Sequence, residues 1–234
     1  VFDSGVGGLP YLERLRELLP AERYVYIADT AGFPYGEKSA EELRTIIHDR
    51  MRIVLDRLAP KLVVVACNTA SVVALSELRE AFGIPFVGVV PAIKPAAEST
   101  SNGRIGLLAT RKTVEDSYTD WLETHYASNS TVYRFTGENI GDLVDMVERR
   151  FFSLEREERT RVLKPAVDYF RRKAVDRLVL ACTHFVFLAE ELSSRLGEGV
   201  ELIDSRDGVA RHTKRVLEQE GLAGGRTGSA GAAA

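Results

Sequence analysis

The sequence predicts an α/β fold built as two similar parallel-sheet halves, on three observations. Short, continuously apolar runs alternate with longer amphipathic stretches almost throughout the 234 residues. Runs that are apolar on both faces belong to parallel strands covered on each side by helices. Two of those runs, in LVVVACNTAS (62–71) and RLVLACTHF (177–185), end alike. Each brings one of the chain's two cysteines to the carboxyl end of a strand, with hydroxyl and amide or imidazole residues following. In open α/β sheets, that end is where ligands bind.

Taken in order, the predicted strands are VF (1–2, the end of a longer strand), YVYIAD (24–29), LVVVA (62–66) and FVGVV (86–90) in the first half. RIGLLAT (104–110), TVYRFT (131–136), RLVLA (177–181) and VELID (200–204) follow in the second. Stretches with apolar residues three and four apart lie between them and predict helices over 9–20, 39–60, 73–83, the region 139–173 and 207–221. The charged run EREERTR (155–161) reads as a solvated helix face, and the small-residue tail AGGRTGSAGAAA (223–234) as disordered.

Composition narrows the function. Hydrophobic residues make up 45% and charged residues 28%, an ordinary soluble balance. A net charge of −3 lacks the basic face that nucleic acid or an anionic membrane surface demands. Runs such as LVVVA are too short to span a bilayer. No charged leader with an apolar stretch opens the chain, and Val1 falls inside a strand. Two cysteines 115 positions apart, without CxxC spacing, read as free thiols in a reducing compartment, which places the protein in the cytoplasm. Two Cys and one His leave a zinc site without a fourth ligand, so no metal is expected.

The polar loops fall at strand ends. DSGVGG (3–8) precedes a helix, and its glycines expose backbone N–H groups suited to a small anion. Asp3 is either a helper in proton transfer or a helix cap. FPYG (33–36) is a proline-initiated turn following a strand. CNT (67–69) and CTH (182–184) each place a thiol beside hydrogen-bonding groups. A helix N-terminus or an imidazolium lowers a thiol's pKa and makes it a usable base. A matched pair of thiols suits the inversion of a stereocentre, in which one base removes a proton from one face of a carbon and the other returns a proton to the opposite face. No Lys-based cofactor motif is present, which fits direct proton transfer without a cofactor.

DSGVGG, PYG, VVACNTAS, GVVPAIKPA (88–96), GLLAT..TV (106–114) and ACTHF stand in the order seen in glutamate racemases, which the chain resembles from Val1 to about Asp204. NTAS and PAIKPA are more like glutamate racemases than aspartate or hydantoin racemases. The resemblance implies two α/β domains related by a pseudo-twofold, here 1–93 with 207–234, and 94–206, with the active site in the cleft between them. It implies cofactor-independent interconversion of L- and D-glutamate, supplying D-glutamate for peptidoglycan, and often a homodimer. It also implies that Cys67 acts on the α-proton of D-glutamate with help from Asp3, and Cys182 on that of L-glutamate with help from His184. Glu148 would be an auxiliary carboxylate near the second thiol. Asp3, Ser4, Tyr35, Gly36, Asn68, Thr69, Thr113, Thr183 and His184 would hold the substrate. Three positions depart from the family pattern: Ala181 and Val186 stand for Gly and Pro around CTH, and Lys112 for a Gly. The competing readings are a racemase of aspartate or another amino acid, a non-catalytic binder of small anions, and a redox protein using a Cys67–Cys182 disulfide.

Overall fold

The eight apolar runs become eight strands among the described residues of a computed structural model, which are 1–137, 140–151, 153 and 155–224. The first sheet holds β1 (Phe2–Asp3), β2 (Ile27–Ala28), β3 (Val63–Val65) and β4 (Phe86–Gly88) in the order β2-β1-β3-β4. The second holds β5 (Arg104–Ala109), β6 (Thr131–Phe135), β7 (Arg177–Ala181) and β8 (Glu201–Ile203) in the order β6-β5-β7-β8. Every pairing is parallel. The two sheets therefore repeat one topology, second-first-third-fourth. Cys67 lies just past the third strand of the first sheet, and Cys182 just past the third strand of the second.

Strand periodicity divides each apolar run between two helical layers. Val63 and Val65 pack on one side, with Leu43, Ile47 and Met51 of α2 (Ala40–Leu58) and Leu78 of α3 (Asn68–Ala81). Val64 and Ala66 face the other side, with Tyr11 and Leu15 of α1 (Leu9–Leu18) and Val209 of α10 (Arg206–Gln219). In the second sheet Leu178 and Leu180 pack with Phe170 of α8 (Arg156–Arg172) and Leu192 of α9 (Ala189–Leu196). Val179 and Ala181 turn to Ile93 of α4 (Ile93–Ser99) and Leu122 of α6 (Ser117–Tyr126). Val186, where the family pattern has Pro, reaches out of the second half into the Tyr11–Leu15 layer of the first. No helix among the described residues is long and apolar enough to cross a membrane.

Four expectations change. The strand expected over 24–29 pairs only at Ile27–Ala28. It lies at a sheet edge, and the Tyr24 hydroxyl is drawn instead to the carbonyls of Leu15 on α1 and of Leu19 just past its end. The helical region 139–173 is broken: α7 (Ile140–Asp145) runs into a π-helical turn, Met146–Arg150, and α8 starts only at Arg156. The widened turn is where Glu148 leaves the helix to meet Val6 of the first half and His184 of its own. Within 155–161, Arg159 is not on a solvated face, because it pairs with Glu191 at 2.9 Å between α8 and α9. Of the tail expected to be disordered, Gly224 hydrogen-bonds Glu22, and residues 225–234 lie outside the described residues. The short helices α4, α5 (Arg111–Glu115), α6 and α9 were not among the predicted stretches.

At the amino end of β7, the buried carboxylate of Asp176 accepts from the hydroxyls of Thr100 and Ser101 and from the amides of Ser101 and Asn102. Burial raises its pKa, but these donors outweigh burial and hold it down at about 2. The stabilisation is therefore complete above about pH 4 and is lost as pH falls toward 2; it amounts to about 2 kcal/mol. Asp176→Asn should lower stability in urea unfolding at pH 7 by that order and much less at pH 2.5. An equal loss at both values would rule out the linkage.

Candidate active site

In the first half, β1 and β3 are adjacent and parallel, so Asp3 and Cys67 emerge side by side at their carboxyl ends. Asp3 is fully buried and accepts from the Ser4 amide at 2.7 Å. It also hydrogen-bonds the Cys67 thiol, and the Ser4 hydroxyl lies 3.9 Å from the same sulfur. Burial pushes Asp3 up to about 6, against the opposing pull of His184 and the Ser4 amide. Cys67 caps the amino end of α3, where sequence reasoning expects a lowered thiol pKa. The structure reverses that expectation. Burial first, and then the charge of Asp3, push the Cys67 thiol well above its ordinary value, so it is protonated at neutral pH.

In the second half, β7 delivers Cys182 to the start of a 3-10 turn, Thr183–Leu188. His184 Nδ1 lies 4.0 Å from Cys182 Sγ, and its Nε2 lies 2.9 Å from Glu148 Oε2. Burial opposes a charge on this imidazole. The hydrogen bonds to Cys182 and Glu148 prevail and raise it to about 10, so His184 is an imidazolium at neutral pH. Burial likewise opposes charge on Glu148, yet His184 and the Val6 amide together hold its carboxyl below the usual range. One thiol is thus paired with a carboxylate and the other with a cation.

Hydroxyls cross between the halves in matching fashion. Thr183, after Cys182, donates to Asp3 Oδ2 at 3.4 Å. Thr69, after Cys67, lies 3.0 Å from Thr110, which follows β5 as Asp3 ends β1. Thr110 in turn lies 3.1 Å from Thr113. The glycine-rich loop does hold an anion, but it is the protein's own: Val6 N donates to Glu148 Oε2 at 2.8 Å. Its glycines are needed for close approach. A Cβ at Gly5 would lie 2.1 Å from Glu148 Oε2, and one at Gly7 would lie 2.5 Å from His184 Nδ1 and from Thr183 Oγ1. Tyr26 holds the loop from the other side, donating to Gly5 O at 2.6 Å and accepting from Gly8 N at 3.1 Å.

Asp3, Ser4, Cys67, Asn68, Thr69, Cys182, Thr183 and His184 lie at these strand ends, Tyr35 and Gly36 on the 3-10 turn Tyr35–Glu37, Thr113 on α5 and Glu148 on the π-helical turn. Asn68 is buried, and neither atom of its amide has a hydrogen-bond partner among the described residues, so it is available to a ligand. The Tyr35 hydroxyl is not free; it donates to Asp29 at 2.8 Å. Gly36 abuts Thr110 across the cleft, where an added Cβ would lie 3.6 Å from the threonine's Cβ. Sequence reasoning missed Thr110, Tyr26 and Asp29. Thr110 carried a legible signal, a hydroxyl at the carboxyl end of an apolar strand. The other two act through partners distant in sequence.

Comparison with known proteins agrees with this geometry. The family model for Asp/Glu/Hydantoin racemase matches residues 7–213. The glutamate racemase of Sphingopyxis alaskensis is 45% identical over 219 residues, covering 93% of this chain and 81% of the relative. Among solved structures, Escherichia coli glutamate racemase in complex with L-glutamate and the activator UDP-MurNAc-Ala has a TM-score of 0.85 at 42% identity, covering 99% of this chain and 85% of the other. Glutamate racemase from Francisella tularensis in complex with D-glutamate has a TM-score of 0.78 at 28% identity, with coverages of 97% and 83%. With one topology repeated in two sheets, a cysteine past the third strand of each, and a family model spanning most of its length, the chain belongs to the Asp/Glu/Hydantoin racemase family.

Proposed function

We propose that the protein is a glutamate racemase that works by two-thiol proton transfer. The observation that carries this reading is the placement of Cys67 and Cys182 at equivalent strand ends of two like sheets, each with its own proton partner. The relatives in complex with L-glutamate and with D-glutamate support the choice of substrate. In the L-to-D direction, Cys182 as thiolate takes the α-proton from one face of the carbon, with the His184 imidazolium beside its sulfur. The Cys67 thiol, already protonated at neutral pH, gives its proton to the other face. In reverse, Cys67 first yields its proton to Asp3, whose raised pKa suits it to receive one, and Cys182 takes one from the His184 imidazolium; Cys67 as thiolate then takes the α-proton while the Cys182 thiol donates to the opposite face. Each cycle thus removes one proton and returns one, and the two thiols exchange protonation states.

Ser4, Tyr35, Gly36, Asn68, Thr69, Thr113, Thr183 and His184 belong to the same proposal as the substrate-holding set, with Thr110 added on its contacts to Thr69 and Thr113. So do the domain limits of 1–93 with 207–234, and 94–206, which the packing of α10 on α1 supports. A cytoplasmic location and the supply of D-glutamate to peptidoglycan follow from the same reading.

The test is isotope exchange at Cα. In D2O, either enantiomer should invert with solvent deuterium in the product. Cys67→Ser and Cys182→Ser should each slow inversion by about 10²–10⁴-fold. A folded, fully reduced protein that exchanges neither enantiomer of glutamate but acts on aspartate would transfer the assignment to another amino acid. A protein that binds glutamate without any exchange would be a binder. A second test is the pH profile: kcat/KM for D-glutamate should fall as pH drops through about 6, where Asp3 takes up a proton. Asp3→Asn should remove that limb from the residual activity. Its persistence in the variant would assign the limb to another group.

A further inference from the structure

We infer that Asp29 is a positioning residue for the reaction, holding the FPYG turn and the backbone of Asp3 in one piece. The inference rests on the glutamate racemase reading above. Asp29 follows the two-residue edge strand β2, and its amide donates to the carbonyl of Asp3 at 2.8 Å. Its side chain, 4% exposed, contacts two other elements. One oxygen accepts the Tyr35 hydroxyl at 2.8 Å, and the other accepts from Arg50 Nε on α2 at 2.9 Å. The carboxylate also lies close against the loop backbone, since a Cβ on Gly32 would lie 2.3 Å from its Oδ2.

With β2 only two residues long, no sheet ladder holds residues 30–34. What ties this segment down is Asp29, whose charge is balanced by Arg50 and whose second oxygen is satisfied by Tyr35. A buried carboxylate with both oxygens bonded has one orientation, and it passes that orientation to both partners. Tyr35 is buried in the same core cluster as Cys67, and Gly36 beside it faces Thr110 across the cleft. Asp29 thereby sets where the turn sits relative to the first thiol without touching the substrate itself. A residue of this kind governs how well substrate is held more than how fast its proton moves.

Steady-state kinetics on Asp29→Ala, Asp29→Asn, Tyr35→Phe and the Asp29→Ala/Tyr35→Phe double variant form the test, with amide hydrogen exchange over residues 30–38. Asp29→Ala should raise KM for both enantiomers by about tenfold, with kcat changed by less than about threefold. Asp29→Asn, which keeps an acceptor for Tyr35, should recover most of that loss. The double variant should be no worse than Asp29→Ala alone, because both changes break the same bond. Exchange over 30–38 should quicken at least about tenfold in Asp29→Ala, while the strands of the second sheet keep their protection. A fall in melting temperature with KM unchanged, strictly additive effects in the double variant, or unaltered exchange over 30–38 would each overturn the inference. Should Asp29→Ala fail to fold, exchange over 30–38 in Tyr35→Phe decides the matter: quickened exchange supports the inference and unaltered exchange overturns it. If the wild-type protein proves inert toward glutamate, the racemase reading fails, while the exchange measurement still decides whether Asp29 holds the turn.

Discussion

A parallel sheet buried on both faces can offer polar chemistry only where its strands end. The apolar residues along β1, β3, β5 and β7 are committed to packing, with Phe2, Val65, Leu107 and Leu180 almost fully enclosed. The polar groups of the site stand at the carboxyl ends: Asp3 closes β1, and Cys67, Thr110 and Cys182 lie just past β3, β5 and β7. Repeating the sheet and turning the two sets of strand ends toward each other produces a site with opposed faces. The two like halves account for a two-sided reaction more directly than any one motif does.

Similar halves need not be equal, and the electrostatics show that they are not. Around Cys67 the dominant influences are burial and a carboxylate, which keep the thiol neutral. Around Cys182 stands an imidazolium, itself sustained by Glu148. Position in the fold is shared, but the accompanying charge is inverted. That asymmetry suits the proposed proton transfer, in which one thiol stands beside a carboxylate able to take its proton and the other beside an imidazolium able to supply one. The threonines crossing the cleft, Thr183 to Asp3 and Thr69 to Thr110, keep the matched geometry while the charges differ.

Much of this was legible in the sequence. Continuous apolar runs mark all eight strands, and the cysteines mark the carboxyl ends of two of them. What could not be read depends on contacts between distant residues. The strand through 24–29 has the composition of a long strand but shortens at the sheet edge, where Tyr24 finds carbonyls on and just past α1. The region 139–173 has helical spacing throughout, yet it opens into a π-helical turn where Glu148 reaches Val6 and His184. A helix terminus suggests an acidic thiol at Cys67, and desolvation overrules it. Local pattern sets the elements; their ends and their charges are decided in three dimensions.

The glycines of the 3–8 loop carry a last consequence. Gly5 and Gly7 are small because Glu148 and His184, contributed by the opposite half, occupy the space a methyl group would need. Any side chain at position 5 or 7 pushes those groups aside. A side chain at position 5 displaces the Glu148 carboxylate from Val6 and His184, and one at position 7 displaces the His184 imidazole from beside Cys182. Substitutions at these four sites are therefore tied together in evolutionary time, and the loop is kept bare by residues encoded more than 130 positions away.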